Sequence, residues 1–407
     1  MVVILLVVLG VAGTSRVAWV AQVGVGPQVR EAQLSYLKQT LDHGAAEKMQ
    51  GSFPEGFFFM HALTGLAAAQ PARPGDPKAL AAVRRALAAV DSPAGTGPFE
   101  GQSQPENGVF WAGWSLLLAV EQARLSGQAA DQQQVRVQAT AIKDALAADA
   151  DGLLESYPGM VWPVDNMAAV AALARADALV QVPGAAAVIA AWPSRIAGLR
   201  DAATGLLPHQ LGSDGTATEG PRGSSQALLL AFEPDVNAQL AAQDYRRFVA
   251  TFVVRRLGLV GVREYPIGTS GDADTDSGPL LWGVSASASA VALAAAARQQ
   301  DGELSEALNA EAELLGLPVS WDGRRRYGGG VLPVGDAFLA WARSQPPSPA
   351  PTGNIGSPRP RWLFWGIAPL LPGAVAVILV LRIRIRRRSR QSAAAAAAVK
   401  PEVVVQK

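Results

Sequence analysis

The chain has 407 residues, 49% of them apolar and 17% charged, with a formal net charge of +1 and no cysteine. That is ample for one large core, and it excludes disulfides, thiolate metal sites and a cysteine nucleophile. Six arginines (Arg382, Arg384, Arg386, Arg387, Arg388 and Arg390) crowd one stretch near the C-terminus, and the remainder is slightly acidic, so the folded body carries no nucleic-acid footprint.

The first element, VVILLVVLGVAG, belongs to a segment 1–25 that reads as a signal peptide or an N-terminal anchor. VREAQLSYLKQTLDHG, Val29 to Gly44, is a mixed polar and apolar helix with no obvious partner beside it. Then a theme recurs: FPEGFFFMHALTGLAAA at Pro54, PENGVFWAGWSLLLAV at Pro105, YPGMVWPVDN at Pro158, GPRGSSQALLLAF at Pro221, SGPLLWGVSASASAVALAAAA at Pro279 and LPVGDAFLAWA at Pro333. Each is a Pro/Gly loop running into a helix apolar on nearly every face, at intervals of about 51 to 63 residues, which marks repeated supersecondary units. Proline suits such a start because its missing N–H is not needed there. Between the repeats lie amphipathic helices such as DPKALAAVRRALAAV, DQQQVRVQATAIKDALAA and GELSEALNAEAELLG. Helices apolar all round are buried on both sides, and amphipathic ones on one side only. The expected fold is therefore all-α: an (α/α)6 toroid over residues 26–344, with six inner and six outer helices, closed by the unpartnered first helix docking beside the last inner one.

QPPSPAPTGNIGSPRPR, residues 345–361, reads as an extended, semi-rigid Pro-rich linker. Leu363 to Leu381 carries no charge over a length of roughly 28 Å, Trp362 and Trp365 stand at its upstream edge, and the arginine block follows. Residues 362–381 are thus a transmembrane helix, and the positive-inside rule puts the basic tail, 382–407, in the cytoplasm and the toroid domain outside. The lipid bilayer is the one macromolecular partner expected.

In a closed ring the loops entering the inner helices converge at one mouth, where the helix N-termini offer free N–H groups and partial positive charge. Carboxylates from four loops are the catalytic candidates: Glu55, Glu106, Asp165 and Asp276. His61, Trp111, Tyr157, Trp162, His209, Glu219 and Arg222 are the substrate-binding candidates. Paired acids with aromatic platforms suit sugar chemistry, one acid protonating the leaving oxygen while a second carboxylate activates water or attacks. Plainer readings stand beside these. Asp165 could cap its helix, His61 could be a core histidine, the tryptophans could be packing wedges, and GDADTDSG is a solvated turn or a calcium loop. No cofactor and no metal site is assigned.

The six loop-helix units from about Val29 to Arg343 resemble the six-hairpin toroid superfamily of glycoside hydrolases, polysaccharide lyases and epimerases. The texture of FPEGFFFMHALTGL, YPGMVWPVDN, RGSSQALL and DSGPLLWGVSASA is also similar to the linalool dehydratase/isomerase-like branch, which is exported and uses cysteines beside a histidine and acidic groups. In a chain without cysteine, that resemblance implies acid/base work by His61, His209, Asp165 and Glu55. Three functions stay open: a membrane-tethered extracytoplasmic enzyme cleaving a glycan or related polyol, a lyase or dehydratase-isomerase, or a non-catalytic membrane-anchored ligand-binding protein. Fold analogy alone does not choose among them.

Overall fold

The computed structural model describes residues 1–22, 25–101, 103–348 and 355–398, with side chains up to Gln391. It is mostly helical and divides into two compact units.

The first unit holds both ends of the chain. Helix α1 (Val2–Gln22) packs on a segment made of α16 (Trp362–Ile367), one 3-10 turn, and α17 (Leu371–Ala398). Val2–Gln22 and Trp362–Gln391 are each long and apolar enough to cross a membrane. α17 runs on through the arginine block, Arg382–Arg390, without a break. The end of the tail, 399–407, lies outside the described residues.

The second unit contains α2 (Pro27–Asp42), the short α3 (Ala45–Gln50), α4 (Gly56–Ala69), α5 (Pro77–Val90), the single turn α6 (Pro93–Thr96), α7 (Gly108–Ser126) and α8 (Ala129–Ala148). It continues with α9 (Pro163–Val180), α10 (Ala185–Arg195), α11 (Gly223–Val236), α12 (Ala238–Phe252), α13 (Ala286–Arg298), α14 (Gly302–Leu315) and α15 (Pro333–Ser344). The six repeat helices are α4, α7, α9, α11, α13 and α15. Each packs on the next in that order, and α15 packs back on α4. The amphipathic helices lie against them: α5 on α4 and α7, α8 on α7 and α9, α10 on α9, α12 on α11, α14 on α13, and α2 on α15 and α4.

Sequence chemistry explains this division. In α5 the buried apolar residues are Ala79, Val83, Ala86 and Val90, in α8 Val135, Ala139, Ile142 and Leu146, and in α12 Ala241, Tyr245, Phe248 and Phe252. That single stripe at helical spacing buries one face and leaves the other wet. By contrast, α9 is buried from Pro163 continuously to Leu173. Its alanines let neighbours come close: a Cβ on Gly113 of α7 would stand 2.9 Å from Cα of Ala169. Side-chain caps fix several starts, with Asp76 accepting from the N–H groups of Lys78 and Ala79, Asn237 from those of Gln239 and Leu240, and Asp301 from that of Leu304.

Like ends of the repeat helices lie together. At their C-termini, Arg124 of α7 donates to the carbonyl of Ala69, the last residue of α4, and to that of Ala72 just after it. Arg175 of α9 and Arg298 of α13 both grip Asp235 of α11, and Ser344 of α15 donates to Gln70 after α4. A guanidinium at a helix C-terminus meets the negative end of the dipole. Aromatic rings from four helices meet in the middle: Trp114 of α7 lies 5.4 Å from Phe232 of α11 and 5.9 Å from Trp341 of α15, and Phe59 of α4 lies 5.5 Å from Trp114. The Trp114–Phe232 and Trp114–Trp341 contacts join α7 to helices that are not its neighbours in the packing order.

Two local expectations need correction. Among the repeat helices, proline opens the helix itself only in α9 and α15. Pro279 stands seven residues ahead of α13 because LLWGVS folds as a hairpin rather than as helix. Among the described residues, nine short strands decorate the loops: β1 (Met160–Val161), β2 (Gln210–Gly212) and β3 (Ala217–Glu219) form one antiparallel sheet. β4 (Val253–Arg256), β5 (Leu259–Arg263), β6 (Leu280–Leu281) and β7 (Val284–Ser285) form a second, in the order β4-β5-β7-β6, and β8 (Val319–Trp321) with β9 (Arg324–Arg326) a hairpin. The Pro-rich linker is no free spacer where it is described. The N–H of Ser348 donates to the carbonyl of Arg298, Ser357 donates to Asp301, and Arg359 pairs with Glu303. Residues 349–354 of that linker lie outside the described residues.

Candidate functional site

The N-terminal ends of the repeat helices gather a set of ionisable groups. Glu55 occupies the N-cap position of α4 without using its side chain as a cap. Its carboxylate accepts a hydrogen bond from the hydroxyl of Tyr157, which comes from the loop before α9. Phe99 stacks on the Tyr157 ring at 5.4 Å and Trp162 meets it edge-on at 5.6 Å, so the phenol is held by rings on two sides. Burial and the charges of Glu55, Asp165 and Asp276 push the Tyr157 pKa far up, so it is a neutral donor rather than a base.

Asp165 lies in the first turn of α9 and is 7% exposed. It is not the helix cap. The N-cap position is Trp162, and no side chain caps the helix. Burial raises its pKa to about 7, with Glu55 and Asp276 adding to the rise and the Ser156 hydroxyl opposing it. Asp276 keeps its side chain 62% exposed. The protein packed around it, together with the charges of Asp274 and Glu55, still raises it to about 6, against the pull of Arg222.

His209 precedes β2 and its Nε2 lies 4.0 Å from Oδ2 of Asp276. Its Nδ1 is buried without a hydrogen-bond partner. Burial, reinforced by the nearby charge of Arg222, lowers its pKa to about 4, so the imidazole is neutral at ordinary pH. Arg222, at the N-cap position of α11, is 3% exposed and sits among three carboxylates. Its Nε donates to Glu264 at 2.8 Å, and its Nη1 lies 2.5 Å from Asp274 and 3.3 Å from Glu219. Burial works against the charge of Arg222, but Asp274 and Glu264 outweigh it and hold the pKa above its usual value. Asp274 in turn falls to about 2, because bonds from Arg222 and the Ser277 N–H overcome its partial burial.

The structure thus brings together Glu55, Tyr157, Trp162, Asp165, His209, Glu219, Arg222 and Asp276. Three other candidates do different work. Glu106 is exposed in the turn before α7, and among the described residues no hydrogen bond or ion pair joins it to this group. Trp111 gives its indole N–H to the carbonyl of Val90 at 3.0 Å and packs against the core, tying α7 to the end of α5. His61 is buried on α4 with its ring 4.7 Å from that of Phe57, and burial together with Arg85 lowers it to about 4. It behaves as a core histidine. In GDADTDSG the aspartates face different partners: Asp274 turns to Arg222 and Ser277, Asp276 to His209, and the carbonyl of Asp272 accepts from the Tyr265 hydroxyl.

The sequence reading missed Glu264, the fully buried partner of Arg222 and Ser224. It follows β5, whose five residues are all buried, so no alternation marked it as a strand and no helix start drew attention to its end. Trp282 has an unusual setting. It stands 62% exposed at the β6–β7 turn with φ 52°, a region where a bulky residue is strained. The Glu264 N–H donates to the carbonyl of the next residue, Gly283.

Comparison with known proteins adds no relative: no protein-family model matches the chain, and no curated protein matches it significantly.

Proposed function

We propose that the helical body is an (α/α)6 toroid held outside the cytoplasm by the membrane, and that the group around Tyr157 is the active site of an enzyme cleaving a C–O bond in a glycan or related polyol by acid/base catalysis. The return of α15 onto α4 supports the ring. The observation carrying the chemistry is the convergence of Glu55, Asp165 and Asp276, from three separate loops, around one phenol. Below about pH 7 Asp165 carries a proton to give to a leaving oxygen. Asp276 is ionised, open to solvent, and placed to activate water or attack. Tyr157 fixes Glu55, and Arg222 with Glu264 and Asp274 braces the loop carrying Asp276. Arg222 is taken up by three carboxylates, so the mouth has surplus negative charge and suits a neutral substrate better than an anionic one.

The two acids predict a narrow activity optimum, rising as Asp276 ionises near pH 6 and falling as Asp165 loses its proton near pH 7. The test is a panel of neutral oligosaccharides assayed with the full-length protein and with Asp165→Asn and Asp276→Asn separately. A substrate cleaved by the parent and by both variants at the parent rate removes these residues as catalysts. His209 favours the second reading, a lyase or dehydratase. A neutral imidazole with a free Nδ1 beside Asp276 is a base suited to elimination, and an unsaturated product in the same panel would select it.

Membrane attachment follows from the two apolar helices, and the arginines of α17 support a cytoplasmic C-terminal side.

A further inference from the structure

Within the unit formed by the chain ends, α1 and the C-terminal helices touch along an antiparallel line. A Cβ on Gly373 would stand 3.2 Å from Cα of Val7. A Cβ on Gly10 would stand 2.7 Å from the carbonyl oxygen of Pro369 and 3.2 Å from Cα of Leu370, and one on Gly13 would lie 2.8 Å from the Pro369 ring. Thr14 Oγ1 donates to the carbonyl of Gly366 at 2.6 Å. Contact numbers therefore climb on α1 as they fall on its partner, from Val7 with Gly373 to Thr14 with Gly366.

These contacts are of the kind that hold helices together in hydrocarbon. Lipid is as apolar as leucine, so association there relies on small residues that let backbones approach and on hydrogen bonds between helices. Pro369 has no N–H to give to the preceding turn, and Thr14 offers a donor to the Gly366 carbonyl in that turn. α1 is long and apolar enough to cross a membrane, and its uncharged part, Val2–Ser15, is the part that lies along the C-terminal helices. Arg16, the one charged residue within α1, lies just beyond the Thr14–Gly366 contact, on the side toward Trp362 and Arg361. That is the interfacial end, where a long cation reaches water.

We propose that α1 is retained as a second membrane span paired with the C-terminal span, so that both ends of the chain lie on the cytoplasmic side. The pairing is independent of what the soluble unit does.

The absence of native cysteine makes the test clean. The full-length protein carries an N-terminal epitope tag and the pair Val7→Cys with Gly373→Cys, and membranes are oxidised and then treated with a maleimide-polyethylene glycol. A control pairs Val7→Cys with Val380→Cys, about 10 Å further along the helix. The expected result is a tag that stays on the membrane-bound chain, digested by protease only after the membrane is opened. Oxidation should block labelling of the 7/373 pair but not of the 7/380 pair, with reductant restoring it. Loss of the tag from the mature chain overturns retention, and the same tag on the otherwise native sequence checks this without the cysteines. A retained tag with both pairs labelling equally overturns the pairing, and a tag digested in sealed cells overturns the sidedness.

Discussion

Tyr157 donates its phenolic proton to Glu55 across 102 residues of sequence, joining the loop before α9 to the start of α4. This bond links the starts of two repeat helices, α4 and α9, that are not neighbours in the packing order α4–α7–α9. Replacing Tyr157 with Phe keeps the ring between Phe99 and Trp162 and removes only the donor. The expected cost is about 1–3 kcal/mol of unfolding free energy, the range for a hydrogen bond to a charged group, with native circular dichroism retained. A denaturant midpoint unchanged from the parent would show that the bond contributes nothing.

Asp165 makes the stability of the protein depend on pH in a stated direction. Its pKa in the folded protein, about 7, lies above the ordinary carboxylate value of 3.8. The folded state therefore holds a proton that the unfolded chain has released. This contribution is intact below about pH 4 and is lost progressively as pH rises through 7. Asp165→Asn, which cannot ionise, should thus gain stability over the parent at pH 8 and little at pH 4, by at most about 4 kcal/mol for a shift of three units. His209 and His61 act the other way. Held near 4, they withdraw stability as pH falls from about 6.5 toward 4. Thermal melts at pH 4, 6 and 8 separate the two, and an equal gain for Asp165→Asn at every pH would contradict the assignment.

Removing the cation from the Arg222 cluster should be costly. Arg222→Met leaves Glu264, which is fully buried, and Asp274 without their partner, for an expected loss of about 3–5 kcal/mol. Arg222→Lys is predicted to recover only part of this, because a point charge cannot serve Glu264 and Asp274 from separate nitrogens. Glu264→Gln in the Arg222→Met background tests the cause: if the unpaired carboxylate is the penalty, the double variant is more stable than Arg222→Met alone.

Close packing between repeat helices rests on glycine at Gly113. Any side chain there meets the backbone of Ala169 at 2.9 Å through its Cβ, and a β-branched one adds two further atoms at that Cβ. Gly113→Val is expected to destabilise by about 1–3 kcal/mol or more through overpacking, while Gly127→Val, at a left-handed turn with open space, acts through backbone strain alone. A Gly113→Val protein as stable as the parent would mean that α7 and α9 can part freely.

The repeat helices, their amphipathic companions and the apolar ends were legible because each rests on periodicity within one segment: Val83 and Ala86 sit a turn apart, and Val135 and Ala139 likewise. The loops were less legible. LLWGVS is as apolar as the helix it precedes, and only the turn at Trp282 and Gly283 reveals a hairpin. Tyr157 and Asp165 could be selected by position, since both flank a helix start. Glu106 and Trp111 met the same criterion and do other work, because position along the chain does not say which way a side chain faces. Glu264 was invisible for the converse reason: its importance comes from a partner 42 residues away, Arg222, rather than from anything beside it.

The guanidinium groups at the far ends of the repeat helices have an evolutionary consequence. Arg124, Arg175 and Arg298 tie neighbouring helices by bonds that involve none of the residues gathered around Tyr157. Loops at the N-terminal ends of these helices can therefore lengthen, exchange side chains or acquire a new ligand while the ties at the C-terminal ends stay in place. In such a molecule specificity can drift without a matching toll on folding.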